Sequence, residues 1–336
     1  MPDHRIFPSM MRQKSRSLSR RDILALTTSA ALVAASPLRA QSAPLSVVAS
    51  TGMIADVARV VGGGAVQVQA LMGPGIDPHS YRQTRSDIVA LTRADLVLWN
   101  GLYLEAQMQD FLRKLAERTP VFAVGEAVPH DRLIAHQDYD GKFDPHVWMV
   151  PDLWAHVVRA VQDALTAAAS DRADLFIANA DTYLAQLDRL GTYAAGVLGT
   201  VPHPSRVLLT AHDAFGYFGR AYGFEVLGIQ GISTESEAGL GRIRALVDLL
   251  VQRDIKAVFV ETSVSDRNIR ALVEGAAARG HNVQIGGELF SDAMGPLGTY
   301  EGTYLGMIDH NATTIAAALG GQVPPRGMDG KLRAGL

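Results

Sequence analysis

The sequence predicts a mixed α/β protein of two lobes, each a roughly four-stranded parallel sheet flanked by helices, joined by one long rigid linking helix. Three observations predict this fold. Short apolar runs alternate with helical patterns in both halves of the chain, which is typical of parallel β-α-β units. The middle of the chain, between Val147 and Ser205, contains no strand-like run. The length of 336 residues is sufficient for two compact cores.

The N-terminus has the pattern of an export signal. Ser19-Arg20-Arg21 precedes an apolar run from Ile23 to Ala35, and a small residue, Ala40, follows shortly after. A basic region, a short apolar region and a small residue at the cleavage site define a secretory signal. The paired arginines indicate the twin-arginine route, and the run is shorter than the roughly 20 residues that span a bilayer. We therefore predict that residues 1–40 are a twin-arginine-type signal peptide and that the mature protein is periplasmic.

Four strand-like runs define the predicted first lobe, residues 44–170. They are Leu45–Ala49, Val66–Leu71, Asp95–Trp99 and Val121–Val124. Thr51 is placed to cap a helix after the first run, and Thr84 with Asp87 forms a variant of the capping box before another helix. Helices between the strands predict parallel strands, whose carboxyl ends meet at one edge of the sheet.

Two helical patterns fill the middle of the chain, over residues 152–168 and from Arg172 to Leu198. The second pattern carries a series of apolar residues at helical spacing. These residues are Phe176, Tyr183, Leu187, Leu190 and Ala194. A flexible linker would contain more Gly, Ser and Pro than this segment does. Residues 171–200 are therefore predicted to form the rigid linking helix.

Four further runs define the predicted second lobe, residues 205–336. They are Arg206–Thr210, Phe224–Ile229, Ala257–Glu261 and Val283–Gly286. Helical patterns lie between them, and Gly280 is placed to end the last of these helices. The second lobe is thus predicted to repeat the architecture of the first, although the two halves share no residue-level repeat.

The composition excludes several kinds of function. The chain has no cysteine, which excludes disulfides, thiolate nucleophiles and thiolate metal ligands. Its net charge of −3 gives no indication of nucleic-acid binding. A metal site in this chain must therefore use imidazole, carboxylate or carbonyl ligands, which suit Zn, Mn, Fe or Ni.

Three histidines follow predicted strands, two of them in the same tripeptide. Asp77-Pro78-His79 and Asp144-Pro145-His146 lie on loops of the first lobe, whereas His212 follows a strand of the second lobe and Asp292 follows the last strand. Ligands of open α/β sheets bind beyond the carboxyl ends of the strands. We therefore expect His79, His146, His212 and Asp292, two from each lobe, to converge on a metal ion in the cleft.

Three carboxylates are placed to support these ligands. Proline fixes its own φ and restricts the residue before it, so Asp77 and Asp144 lie on stiff loops beside their histidines. Glu261 ends a strand of the second lobe. We predict that these carboxylates hold the metal ligands in place, with an ordinary capping or hydrogen-bonding role as the alternative for Glu261.

Two aromatic residues are expected near the site, and the remaining histidines are expected away from it. Tyr81 and Trp148 are expected to line the cleft, and residues 233–237 to form an acidic turn before a helix. The histidines predicted to be solvated or to lie at surface turns or helix starts are His130, His136, His203, His281 and His310.

Several segments of the chain resemble the zinc/manganese/iron-type (cluster A-I) periplasmic substrate-binding proteins of bacterial metal ABC transporters, in which one long helix joins two lobes. The segments are Asp77–Tyr81 with Thr84 to Asp87, Asp144–Trp148, Thr210–Gly219, Gln230–Gly239 and Gly286–Gly295. The resemblance covers nearly all of the chain after the signal. The family's ligand positions fall on His79, His146, His212 and Asp292, the same four residues.

The resemblance implies a receptor that carries a divalent transition metal ion as its transported ligand. The implied ion is Mn²⁺ or Zn²⁺, with Fe²⁺ also compatible, and the implied partner is the membrane permease of an ABC importer. A further implication is a monomer that is not an enzyme and binds neither nucleic acid nor a small organic substrate.

Two features bear on the metal and leave it open between manganese and zinc. Zinc-dedicated members of the family commonly carry a long, His- and acid-rich loop before the second ligand, and here the segment from His130 to Phe143 is short. Manganese-dedicated members often have Glu at the position of His212. Met149-Val150-Pro151 also departs from the family's common Leu-Asp-Pro, at a position that is not a ligand.

Two other functions share these residues. A zinc-dependent hydrolase could use a site of three histidines and one aspartate, but it would need an open coordination position and a nearby base. A metal-binding surface adhesin of the same fold is the other alternative.

Overall fold

The computed structural model describes residues 43–136 and 139–333. The predicted signal peptide, residues 1–40, lies outside the described residues. From Pro44 onward the chain forms one compact unit, so the predicted division into 44–170, 171–200 and 205–336 remains a prediction. Among the described residues, none of the helices combines the length and the apolarity needed to cross a bilayer.

Four parallel strands form the first sheet, in the order β2-β1-β3-β4. Its elements are β1 (Leu45–Ala49), α1 (Gly52–Gly62), β2 (Val66–Ala70), α2 (Arg85–Arg93), β3 (Leu96–Trp99), α3 (Gln109–Leu115) and β4 (Val121–Ala123). Ala49 pairs with both Ala70 and Leu98, so the carboxyl ends of three strands meet at one edge. The Thr51 side chain caps α1, and Thr84 with Asp87 forms the capping box predicted for α2.

Two helices fill the middle of the chain, as predicted. They are α4 (Pro151–Ala168) and α5 (Ala173–Gly199). Pro151 begins α4, where its missing N–H costs nothing because the first N–H groups of a helix have no partner within the helix. The 27 residues of α5 give a helix roughly 40 Å long. Its apolar stripe is buried along its whole length, from Phe176 to Leu198.

The four strands of the second lobe are parallel, but they form two separate hydrogen-bonded pairs. The elements are β5 (Val207–Thr210), α6 (Gly216–Tyr222), β6 (Glu225–Gly228), α7 (Leu240–Gln252), β7 (Ala257–Glu261), α8 (Arg267–Ala277), β8 (Gln284–Leu289) and α9 (Tyr304–Ala318). Hydrogen bonds join β5 to β6 and β7 to β8, and β5 runs beside β7. The continuous four-stranded sheet expected here is therefore split. Where β5 and β7 end, the Glu261 side chain, rather than a backbone carbonyl, accepts the N–H of His212.

One hydrophobic core extends through both lobes. It includes residues from strands of both lobes, of α4 and α5, and of α9. Within it, fully buried Trp154 of α4 stacks on Tyr304 of α9, with ring centroids 5.2 Å apart and an angle of 16° between the planes. Because apolar burial is the main favourable contribution to folding, this shared core joins the two lobes behind the edge where their strands end.

Candidate metal centre

The four predicted ligands come from four different loops, each following a strand. His79 lies on the loop after β2 and His146 on the longer loop after β4, whereas His212 and Asp292 follow β5 and β8 directly. All four side chains are buried, with at most 3% of their surface exposed. The structure therefore brings together the whole predicted set at the boundary between the lobes.

The ligand atoms of these residues face a common point. Nε2 of His79 lies 3.3 Å from Nε2 of His146. The carboxylate of Asp292 lies 3.3 Å from Nε2 of His146 and 3.1 Å from Nε2 of His212, and 3.9 Å from Nε2 of His79. One ligand atom from each of the four residues lies within 4.8 Å of all the others, which is the arrangement that a single ion can bridge.

Several of these atoms are buried without a hydrogen-bond partner among the described residues. They are Nε2 of His212 and both carboxylate oxygens of Asp292. Their nearest polar neighbours are other ligand atoms of the cluster, with His212 Nε2 and Asp292 Oδ2 3.1 Å apart. A buried polar atom without a partner is costly and calls for an explanation. Three imidazole nitrogens and one carboxylate form a donor set for Zn²⁺ or Mn²⁺, so a cation at this point accounts for the unpaired atoms.

Two carboxylates each contact both the backbone N–H and the Nδ1 of one histidine, Asp144 through a single oxygen and Glu261 through both. Asp144 Oδ1 accepts a hydrogen bond from the backbone N–H of His146 (2.9 Å) and lies 2.7 Å from its Nδ1. Glu261 accepts one from the backbone N–H of His212 (2.9 Å) and lies 2.6 Å from its Nδ1. A carboxylate at Nδ1 holds the proton there, which leaves the lone pair of Nε2 free for a metal.

The third predicted supporting carboxylate, Asp77, makes different contacts. Its Oδ1 accepts the backbone N–H of His79 at 2.9 Å. Its Oδ2 accepts hydrogen bonds from the hydroxyls of Ser80 (2.8 Å) and Thr234 (2.6 Å). Asp77 therefore fixes the backbone of the His79 loop and reaches across to the second lobe, whereas Asp144 and Glu261 orient imidazole rings.

Burial and charge set the protonation of the cluster. Burial lowers the pKa of His79 to about 3, with Asp292 opposing the shift. Burial also acts to lower the pKa of His146, but Asp144 and Asp292 outweigh it and raise that pKa to about 9. The same balance, with Asp292 and Glu261 as the opposing charges, raises the pKa of His212 well above its usual value. Protons and a metal ion thus compete for the Nε2 atoms of His146 and His212 at neutral pH.

Asp292 is the charged member of the cluster. Burial alone would raise its pKa, but His212 and His146 lower that pKa well below the usual range. Asp292 is therefore ionised at neutral pH and supplies the negative charge that a cation requires.

The two aromatic residues predicted to line the cleft make different contacts, and only Trp148 packs against a candidate ligand. Trp148 packs against His146, with ring centroids 5.2 Å apart, and its Nε1 donates to the carbonyl of Ser291 beside Asp292. The hydroxyl of Tyr81 instead donates to Asp87 at the start of α2, and its ring packs on an apolar cluster of the first lobe. Tyr81 thus stabilises the end of the His79 loop without lining the ligand cluster.

Two histidines predicted to be solvated or at the surface are buried. His281 is 9% exposed, and its Nε2 lies 2.8 Å from the carbonyl oxygen of Ile255. His136 is 8% exposed because an antiparallel bridge between Ala135 and Phe143 folds its loop back. His136 and His79 line the same narrow pocket, about 10 Å³ in volume, which is enough for about one water molecule. The burial of His136 could not be predicted, because the residues around it are polar and are typical of an exposed loop.

Two lobes of parallel strands around a buried histidine–carboxylate cluster define a two-lobed metal-binding protein. Residues 47–318 match the sequence model of the family described as ZnuA, zinc-uptake complex component A, periplasmic. The chain therefore belongs to this family, which confirms the resemblance seen in its motifs.

Relatives and solved structures agree with this assignment. The manganese-binding lipoprotein MntA of Bacillus subtilis is 49% identical, over 82% of this chain and 90% of its own. The structure of the periplasmic zinc-binding protein TroA from Treponema pallidum is 46% identical, covers 82% of this chain and 99% of its own, and has a TM-score of 0.80. Fe(III)-bound YtgA from Chlamydia trachomatis is 27% identical, over 83% of this chain and 99% of its own, with a TM-score of 0.74. These similarities confirm the two-lobed α/β fold class.

Proposed function

We propose that this protein is the extracytoplasmic receptor of an ABC importer, which captures Mn²⁺ or Zn²⁺ between its lobes and delivers the ion to a membrane permease. The proposed ligands are His79, His146, His212 and Asp292. The observation that carries the proposal is the convergence of these four side chains, whose buried atoms include three without a hydrogen-bond partner among the described residues. Relatives named as manganese-binding and zinc-binding proteins support it.

The chain's own residues explain how an ion would be held. Asp144 and Glu261 keep the Nε2 lone pairs of two imidazoles directed at the centre. Both oxygens of Asp292 are free to bind the ion, so this set can provide four or five donor atoms. Zn²⁺ is most often bound by four ligands and binds more tightly than Mn²⁺ by the Irving–Williams order. The physiological ion therefore follows from its supply and from the permease.

Burial of the four ligands supports a receptor over the zinc-dependent hydrolase. A hydrolytic zinc site keeps one position open for water or substrate, whereas here a carboxylate fills the fourth position. We therefore propose that the chain is not an enzyme. We further propose that it is exported by the twin-arginine route and acts as a monomer without an organic or nucleic-acid ligand.

Elemental analysis of the protein purified from its native periplasm tests the function. We expect one Mn or Zn ion per chain in the wild type. We also expect His212→Ala to lower the metal affinity at least about tenfold, since even supporting residues of metal sites contribute that much. A His212→Ala variant with wild-type stoichiometry and affinity would contradict the proposed ligand set. Hydrolysis of simple esters by the metal-loaded protein would instead support the hydrolase.

A further inference from the structure

Residues 229–239, the loop between β6 and α7, lie over the side of the metal centre where His79 is found. This segment, which we call the mouth loop, contributes Ile232, Ser233 and Glu235 to the walls of the narrow pocket that ends at His79. Ile232 is buried, whereas Glu235 is exposed. The pocket thus extends from a buried candidate ligand to a residue at the surface.

An ion held by four buried side chains can leave only if some segment moves. Behind the cluster, the contacts between the lobes are buried and involve large aromatic residues. The Tyr304 hydroxyl donates to the Trp148 carbonyl at 2.9 Å, and the Tyr217 hydroxyl donates to the Asp144 carbonyl at 2.8 Å. Segments with buried aromatic packing open rarely, whereas segments held by exposed contacts open at low free-energy cost.

The mouth loop is held to the first lobe by two side-chain hydrogen bonds, one partly buried and one exposed. The Thr234 hydroxyl donates to Asp77 Oδ2 at 2.6 Å. The Gln107 side-chain amide donates to the exposed Glu235. Within the loop, Gln230 donates to the carbonyls of Thr234 and Ser236. These internal bonds preserve the shape of the loop, so it can move as a unit when the two bonds to the first lobe break and Ile232 leaves the pocket wall.

The bond between Thr234 and Asp77 connects the mouth loop directly to a ligand. The same carboxylate that accepts the Thr234 hydroxyl also accepts the backbone N–H of His79. Among residues 43–136 and 139–333, no carboxylate hydrogen-bonds to Nδ1 of His79, unlike those of His146 and His212. The His79 loop therefore depends on Asp77 for its position. Movement of the mouth loop would therefore loosen the support of one ligand and uncover that ligand in the same step.

We propose that the mouth loop is the gate for the metal ion, and that the hydrogen bond between Thr234 and Asp77 is the latch that sets the rate of release. This proposal rests on the proposed function, because it assumes that the cluster binds a metal. Thr234 is thereby a positioning residue that acts through Asp77 and does not contact the ion.

The test compares three variants with the wild type. Thr234→Val removes the hydroxyl and keeps the shape of the side chain, whereas Thr234→Ser keeps the hydroxyl. Thr182→Val is the matched control, because the Thr182 hydroxyl donates to Ala178 within the linking helix. The rate of Zn²⁺ release into excess fluorescent chelator is measured by stopped flow, and hydrogen exchange of the amides in residues 229–239 is measured without metal.

Loss of one hydrogen bond to a charged acceptor should accelerate release from Thr234→Val about tenfold. Hydrogen exchange in the mouth loop should accelerate similarly. Thr234→Ser and Thr182→Val should resemble the wild type. Release and loop exchange at the wild-type rates in Thr234→Val would overturn the latch. A wild type that binds no metal would overturn the proposed function instead, while the exchange measurement would still decide whether Thr234 restrains the loop.

A second experiment remains decisive if Thr234→Val does not fold. The chain has no cysteine of its own, so Gln107→Cys and Glu235→Cys can be joined specifically by a short bis-maleimide cross-linker. The cross-linked, metal-loaded protein is expected to release Zn²⁺ much more slowly than the same double variant with each thiol capped separately. Equal release from the two forms would show that the ion leaves by another route.

Discussion

At the residue scale, two of the candidate ligands, His146 and His212, are each held by a buried carboxylate. Glu261 and Asp144 each accept a backbone N–H and face Nδ1 of the same residue. This double contact fixes both the position and the tautomer of the ring. If Asp144 and Glu261 support the ligands as we propose, the metal affinity should depend on two residues that do not themselves bind the ion.

Glu261→Gln tests this dependence. The amide nitrogen of glutamine would face Nδ1–H of His212 as a second donor, which favours the tautomer whose proton blocks Nε2. We expect the affinity for Zn²⁺ to fall about 10- to 100-fold, measured by competition with a fluorescent chelator. Glu288→Gln is the matched control, since exposed Glu288 lies on the paired strand β8 opposite Val260. An unchanged affinity in Glu261→Gln would show that Glu261 only caps the backbone.

The four candidate ligands could be proposed from the sequence because each lies in or next to a short, recognisable motif. The repeated Asp-Pro-His tripeptide and the strand before His212 are visible in short windows of the chain. The bond from Asp77 to Thr234 joins residues 157 positions apart, and it depends on how the two lobes pack. No periodicity encodes that packing, so this contact was missed. The burial of His136 was missed for a similar reason, because it depends on how its own loop folds back.

At the element scale, the long helix α5 is both the most predictable part of the fold and a main part of its core. The sequence predicted a helix from Arg172 to Leu198, and the helix spans Ala173–Gly199. The agreement has a physical cause, since a long stripe of apolar residues at a period near 3.6 specifies a helix and its buried face together. The pairing of the four strands in the second lobe was harder to predict, because a strand-like pattern locates a strand but does not say which strand it hydrogen-bonds to.

Leu190→Ala tests the role of α5 in the core. Leu190 is fully buried on this helix, so truncation should lower the free energy of unfolding by about 2–5 kcal/mol. Leu175→Ala, on the same helix but 43% exposed, should stay within about 1 kcal/mol of the wild type. Urea denaturation of the metal-free proteins measures both. Equal losses at the two positions would contradict a specific role of the buried face, and helix propensity would not explain them because Ala favours the helix at least as much as Leu does.

At the scale of the whole molecule, metal binding is coupled to folding and to pH. An ion that binds only the folded protein stabilises it by about 2.7 kcal/mol at one hundred times the dissociation constant. Because one core extends through both lobes, we expect this stabilisation to appear in a single unfolding transition.

The pH dependence follows from the raised pKa values of His146, about 9, and of His212. In the metal-free protein these protonated imidazoles stabilise the fold below about pH 6.5, and this stabilisation is lost as the pH rises through 9. Metal binding needs the deprotonated Nε2 atoms. The difference in folding stability between the metal-bound and the metal-free protein should therefore grow with pH over this range. His79, with its pKa lowered to about 3, is neutral throughout and does not contribute.

Thermal unfolding with and without Zn²⁺ at several pH values measures this effect. The shift in melting temperature should increase from pH 6 to pH 8, and each displaced proton should lower the Kd about tenfold per pH unit. Calorimetry in buffers of different ionisation enthalpy should detect the protons released on binding. A shift that is the same at every pH would argue against imidazole ligands.

The position of Trp148 gives this protein an optical reporter of its own. Its indole ring lies edge-on to the imidazole of His146, and its N–H bonds to the residue before Asp292. Replacement of a proton by a divalent ion at that imidazole changes the electric field across the indole, and tryptophan emission responds to such a field. The occupancy of the cluster can therefore be followed by intrinsic fluorescence, and paramagnetic Mn²⁺ can be distinguished from diamagnetic Zn²⁺ by the quenching it causes.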